Sequence, residues 1–337
     1  MWTEDLPLAV PVEPQNPFME RFALEAKTQR VWRARHATWF TFMGIGGAVF
    51  LLARFLGLLE ELGTFLGMPV VELVSFGAIA IGGSILISYM THPLRMFRSF
   101  SNWRQSWISI GAFADVIFLV AGGLIILPDL ELGSSTPFSG LPWDSHATSG
   151  SGRFLVIVAA IAAAFVIFYA GIVLAAPRAI PYWHSPVIPL QFLFSSLAMG
   201  MAVLMFLAVV NDEPVEGGWM ALTAVFIALL GLSIVWHLAT KRDLPGKSHS
   251  IERLTRGRYR VRFLGAVVVV GTVLPFVLSI FGAAAEGSRD AIAVIVAVLL
   301  VGGGFGLRLY TVRVGIFPPV KLVSSNGQVR AVRAGES

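Results

Sequence analysis

Apolar residues in this chain neither alternate nor mark one face of a helix. They run in blocks, and eight of those blocks are long enough to cross a bilayer, which takes about 20 apolar residues in a helix. The blocks predict transmembrane helices near residues 38–59, 70–89, 106–127, 153–176, 187–210, 217–238, 262–282 and 290–311. Residues 128–152 are rich in Ser, Gly and Pro and read as an irregular loop. Residues 17–35 carry a mixed pattern that predicts a short amphipathic helix on the membrane surface. With no internal repeat or low-complexity tract, the expected fold class is all-α: a polytopic membrane bundle of about eight transmembrane helices, arranged as two packed four-helix bundles. The membrane domain would span 38–311, between an N-terminal tail (1–37) and a C-terminal tail (312–337).

Composition agrees. Hydrophobic residues make up 56% of the chain and charged residues 13%, whereas a soluble domain carries roughly 25% charged. There is no cysteine, which excludes disulfides, thiolate catalysis, cysteine zinc sites and iron–sulfur ligation by this chain. The first 34 residues are polar and Pro-punctuated, with Glu4, Asp5 and Glu13, and lack the apolar core of a cleavable signal. The first span is therefore expected to insert as a permanent helix.

Charge sets an orientation. Taking the connections alternately, nearly all of the 25 Lys and Arg fall on one side: in the N-terminal tail, the 90–105, 177–186 and 239–261 loops, and the C-terminal tail. The opposite loops carry Glu60, Glu61, Asp129, Glu131, Asp212, Glu213, Glu216 and Glu286. Basic loops stay in the cytoplasm, so both termini are expected there, as an even number of spans requires. This topology also accounts for the pI near 9.9, and no nucleic-acid partner is expected.

Polar groups inside a bilayer are costly and each needs a reason. Asp115 lies about ten residues into the third span, as a proton relay or as an interhelical hydrogen bond. His36 stands at the mouth of span one, where an imidazole could exchange protons near neutral pH or serve as an interfacial anchor. Trp39 follows it, as an anchor or a ligand contact. Gly44, Gly46 and Gly47 on the same helix allow close helix approach and leave room for a flat ligand. Tyr169, near the end of span four, needs a hydrogen-bond partner if buried. Arg178 follows in the next loop, and Arg54, near the far end of span one, is expected to snorkel without a further role. The six histidines (His36, His92, His146, His184, His237, His249) lie in loops or at span ends, so bis-histidine haem is not expected. No metal site is expected.

Three stretches in order carry a family likeness. Pro93, Arg95 and Phe97, then Ser106, Trp107, Ser109 and Gly111, match a loop and helix-start pattern. Tyr169, Gly171, Pro181, Trp183, Pro189, Phe192, Ser195 and Gly200 match a second, and Trp39, Gly44 and Gly47 a first-helix pattern. Together they resemble the membrane subunit of the NrfD/polysulfide reductase family over nearly the whole membrane region. The loop after span two departs from the family, lacking its usual Asp and holding His92 where an Arg is common.

The resemblance implies a quinone-binding membrane anchor, using menaquinone or ubiquinone. Its partners would be an iron–sulfur subunit and a molybdopterin-type catalytic subunit. It implies a quinone pocket at His36, Trp39 and Tyr169, with Arg178 nearby, and Arg95 and Arg98 would face the partner; Asp115, by its own position deeper in the span, is the candidate proton carrier. With no cluster of its own, the chain would exchange electrons through that partner, in a bacterial inner membrane. Many relatives hold the catalytic partner outside the cytoplasm on the pocket side, whereas the charge rule puts the basic pocket side of this chain inside. Two other readings stand beside this one. An ion or solute transporter would be expected to show broken helices in matching halves, which the sequence lacks. An inert anchor for an extrinsic complex would tolerate loss of Tyr169 and His36.

Overall fold

The computed structural model describes residues 27–89, 106–240, 245–318, 320–325 and 328–333. Among these, eight helices are long and apolar enough to cross a membrane. They are α1 (Ala34–Leu56), α2 (Val70–Ile87), α3 (Trp107–Ile126), α4 (Gly150–Ala175), α5 (Val187–Val210), α6 (Gly217–Ala239), α8 (Val261–Ala284) and α9 (Arg289–Arg313). A ninth helix, α7 (Pro245–Thr255), lies between α6 and α8.

The ends of these helices show why they start and stop where they do. The Ser106 hydroxyl accepts from the Ser109 amide at 3.4 Å and caps α3; the Ser149 hydroxyl accepts from the Gly152 amide at 3.0 Å and caps α4. Helix α1 stops at Gly57, whose φ of 76° is the left-handed value that ends helices. The first 13 residues of α8, Val261–Val273, wind as a π-helix, and at its end Gly271 meets Gly303 of α9 so closely that neither could carry a Cβ.

Helices α1–α4 pack as one four-helix bundle and α5, α6, α8 and α9 as a second, with α1 and α5 in contact between them. The all-α, two-bundle expectation holds. Most of the interface is made of small and apolar side chains, as expected where lipid tails are no worse a solvent than leucine. Gly200 on α5, for example, receives Ala48 and Leu52 of α1.

The basic side is closed by a clasp. Strand β1 (Lys27–Thr28) pairs antiparallel with β4 (Ile316–Phe317), joining the chain before α1 to the chain after α9. The last carbonyls of a helix lack intrahelical partners. At the end of α9 they are met by side chains: Gln29 Nε2 donates to Val312 O at 2.8 Å, Trp183 Nε1 to Thr311 O at 2.7 Å, and Ser250 Oγ to Val314 O at 2.8 Å. The sequence expectation of a helix over 17–35 fails in its described part before Ala34. Residues 27–33 are strand and bend, because their polar groups serve the clasp. Beyond β4, strands β5 (Val320–Ser325) and β6 (Gln328–Arg333) form a hairpin in the tail.

On the opposite side, β2 (Thr64–Phe65) and β3 (Met68–Pro69) form a tight hairpin. Its two turn residues, Leu66 and Gly67, both have positive φ, the combination such two-residue loops require.

Candidate functional site

Helices α3 and α4 pack side by side in the first bundle. Gly111 and Asp115 lie one turn apart on α3. Because Gly111 has no side chain, the ring of Tyr169 from α4 occupies the space a Cβ would fill. This brings the Tyr169 phenol beside the Asp115 carboxyl, close enough for direct interaction. Tyr169 is 1% exposed and Asp115 6%.

Aromatic rings extend the site. Phe165 stacks on Tyr169 with centroids 5.7 Å apart, and Trp39 of α1 lies 6.1 Å from Tyr169 on another side. Trp39 in turn contacts Phe40 at 4.2 Å. Trp39 is 1% exposed, so it is a buried wall of the site, packed inside the bundle. Trp39 Nε1 is buried without a hydrogen-bond partner, and the Tyr169 hydroxyl and Asp115 Oδ1, which face each other, have no partner beyond one another. A buried indole N–H with no acceptor, beside an acid–phenol pair that has only itself, carries a free-energy cost that a ligand could relieve.

Two cavities approach this centre. A groove of about 700 Å³ between α3 and α4 is lined by Ile110, Ala114, Ile117, Val158, Ile161 and Phe165, an apolar surface suited to a hydrocarbon tail. Phe165 is the wall it shares with Tyr169. On the basic side, a more polar cavity of about 920 Å³ is lined by residues that include Gln29, Trp32, Arg35, His36, Tyr89 and Arg313.

His36 faces that second cavity, half-buried in the first turn of α1. Its Nδ1 accepts from the Arg33 amide at 3.1 Å, so a neutral ring carries its proton on Nε2. Its ring lies 4.8 Å from Trp32 and 5.2 Å from Tyr89. Burial pushes the Tyr89 phenol above its usual range, so it remains a donor at neutral pH. Three residues along α1 from His36, Trp39 packs near Tyr169.

The structure thus brings Trp39, Tyr169 and Asp115 into one buried cluster, with His36 one turn away toward the basic face. Arg178 is not part of it: the residue is exposed in the turn after α4. Arg95 and Arg98 lie outside the described residues, as do His92, Pro93 and Phe97 of the matched loop.

Three features were missed by sequence reasoning. Arg54 is not a free snorkelling side chain. It is ion-paired with Glu72 of α2 and donates to Ser145 O at 3.1 Å. Arg308 of α9 is fully buried in the second bundle, donating to Ser195 Oγ and Ser196 Oγ at 2.8 Å each, with its guanidinium 5.0 Å from the Phe192 ring centre. Among the described residues it has no carboxylate partner. Gly44 is the small residue that makes room for it. The available signal was an arginine inside an apolar run, GGGFGLRLY. Tyr89 is the third.

Fold and site therefore define a multi-pass helical membrane protein with a buried acid–phenol pair at the centre of one bundle. Among protein-family models, the chain matches the polysulphide reductase, NrfD, over residues 23–319. The chain belongs to that family. No curated protein matches it by sequence.

Proposed function

We propose that the chain is the quinone-reactive membrane subunit of a respiratory-type oxidoreductase complex in a bacterial inner membrane. In that role it exchanges electrons with an iron–sulfur partner that serves a molybdopterin-type catalytic subunit. The observation that carries this reading is the buried Trp39 Nε1, without a partner, beside the Tyr169–Asp115 pair and an apolar groove. A quinone needs a slot for its ring and tail and donors for its two carbonyl oxygens. Tyr169 and Trp39 offer donors, and Asp115 offers an acceptor for a quinol hydroxyl. His36, on the basic side of the same bundle, supplies a titratable group toward the aqueous face.

Quinol oxidation releases two electrons and two protons; reduction consumes the same. A quinone bound in the apolar bundle would supply the redox chemistry. The residues of the chain would orient the ring, exclude water and accept or return protons at the Asp115 carboxyl. The chain has no cysteine, so electrons would leave through the partner. The basic loops suit an acidic docking surface, and by the charge rule they and both termini belong in the cytoplasm.

The test is mass spectrometry of the complex purified through this chain in mild detergent, with organic extraction of bound quinone. A co-purifying iron–sulfur protein with stoichiometric menaquinone or ubiquinone supports the reading. A lone chain without quinone overturns it in favour of a transporter.

A further inference from the structure

The polar cavity of about 920 Å³ on the basic side opens where four spans reach the membrane surface. Its walls include Arg30, Arg33 and Arg35 around the start of α1, and Tyr89 just past the end of α2. Tyr259, just ahead of α8, and Arg313, in the last turn of α9, line it from the second bundle. No described residue of the wall is an acid. None of the four arginines has a carboxylate partner among the described residues.

The rule that keeps basic residues in cytoplasmic loops accounts for arginines on this face. It does not account for four of them around one cavity, where like charges repel. The first turn of α1 holds no acid either, and the start of a helix already carries partial positive charge. The Tyr89 hydroxyl is buried without a hydrogen-bond partner among the described residues, and the Arg35 guanidinium lies 5.8 Å from the centre of its ring. Four guanidinium groups and a free phenolic donor, with no acid to balance them, suit an anion. Paired N–H groups of arginine fit the oxygens of a phosphate in particular.

The surroundings say where that phosphate comes from. Helix α2 packs on α1, α1 on α9 and α9 on α8, whereas α2 and α8 make no substantial contact with each other. Below the cavity, α1 and α9 are thus the floor of a gap flanked by α2 and α8. At its upper edges Ile87 of α2 is 38% exposed and Val261 of α8 82%. Half-buried Trp32 and Tyr259 stand at the level of the helix ends, as aromatic residues do among headgroups. A polar, cationic cavity over an apolar gap matches a lipid, charged at one end and hydrocarbon at the other. Basic pockets between spans on the cytoplasmic side are a recurrent place for such headgroups.

We propose that this cavity holds the phosphodiester headgroup of an anionic phospholipid from the leaflet on the basic side. Arg30, Arg33, Arg35 and Arg313 surround the phosphate, the Tyr89 hydroxyl donates to it, and the acyl chains run down the gap between α2 and α8. The lipid touches both bundles at once and so fastens them at the rim where the β1–β4 clasp lies. Nothing in this proposal depends on the quinone reading.

The test uses the complex purified through this chain in mild detergent and stripped of lipid by washing. It is titrated with phosphatidylglycerol or cardiolipin, with phosphatidylcholine as the neutral lipid and inorganic phosphate as the free anion. Native mass spectrometry counts bound lipid, and thermal unfolding follows stability. The wild type should rebind one anionic lipid per chain about tenfold or more tighter than phosphatidylcholine, with a rise in melting temperature. Arg30→Gln with Arg313→Gln should lose that preference, and Arg30→Lys with Arg313→Lys should keep part of it. Arg178→Gln with Arg256→Gln removes as much charge outside the cavity and should bind like the wild type. Equal binding of phosphatidylcholine, an equal loss in the outside pair, or no loss in the Arg30 and Arg313 pair would overturn the proposal. Stabilisation by inorganic phosphate equal to that by lipid would give the site to a free anion. Loss of a co-purifying subunit instead of lipid would give it to an acidic protein; either result overturns the lipid. Should the double glutamine variant fail to assemble, Arg30→Gln alone changes an exposed side chain ahead of α1. It should weaken anionic-lipid binding several-fold, and unchanged binding would sink the proposal equally.

Discussion

The ring of Tyr169 lies where the side chain of residue 111 would be, and only because that residue is glycine does the phenol reach Asp115 one turn further along α3. Gly111→Ala must push the ring away or part the two helices. Overpacking of this kind costs about 1–3 kcal/mol, so a lower melting temperature is expected. Quinol turnover should fall by about tenfold or more, because the phenol no longer faces the carboxyl. An alanine variant with wild-type turnover would show that the Tyr169–Asp115 contact is not needed.

Tyr169→Phe keeps the ring and removes the donor. If the hydroxyl binds a quinone carbonyl, its loss costs about 0.5–1.5 kcal/mol, up to roughly tenfold in affinity. Quinone retained per complex, measured after extraction, should drop, and His36→Ala should slow turnover. An inert anchor predicts that neither variant changes electron transfer.

Asp115→Asn preserves shape while removing the titratable proton. General acid–base steps contribute about 10²–10⁴-fold, so turnover should fall within that range. Full turnover with full proton coupling in this variant would leave Asp115 as a helix-packing residue only.

Arg308 allows a comparison of stability. Ser195→Ala with Ser196→Ala strips two donors' partners from a buried guanidinium, and hydrogen bonds to charged groups are worth about 1.5–3 kcal/mol each. Arg308→Met removes the charge along with its needs and leaves two hydroxyls, of which Ser196 already donates to Ile167 O. Thermal unfolding in detergent should therefore show the double serine variant less stable than the methionine variant, although the latter replaces the charged residue itself.

Outside the membrane, Asp144 fastens the loop ahead of α4. The Thr148 hydroxyl donates to it at 2.6 Å and holds its carboxyl below the usual carboxylate range, with the Thr148 amide helping at 3.0 Å. A depressed value means the fastening is present at neutral pH and is lost as pH falls through the folded value. Hydrogen exchange of residues 144–149 should be faster in Asp144→Asn than in the wild type at neutral pH, and the two should converge in acid. Equal rates at neutral pH would remove the role.

Much of this fold was legible because a bilayer allows so few solutions. The apolar runs placed α5 and α6 almost to the residue, 187–210 and 217–238 against Val187–Val210 and Gly217–Ala239. The start of α1 was set four residues late, since Arg35 and His36 look like loop by polarity yet sit in the first helical turn. The clasp residues 27–33 were misread as helix because their partners, Val312 and Gly315, lie some 280 residues away. Asp115 and Tyr169 could each be singled out by the cost of burying them, whereas their meeting depends on how α3 packs on α4. Arg54 and Glu72 stand at the ends of separate helices, where an isolated charge looks like ordinary interfacial chemistry.

The β1–β4 pairing has a consequence for biogenesis. Lys27 and Thr28 leave the ribosome long before Ile316 and Phe317, and the carbonyls that Gln29 and Trp183 satisfy belong to the final span. The first bundle can insert and assemble while synthesis continues, but its basic rim stays open until the eighth helix is in the membrane. A nascent chain arrested before that point would leave residues 27–29 without the partners they hold in the folded chain.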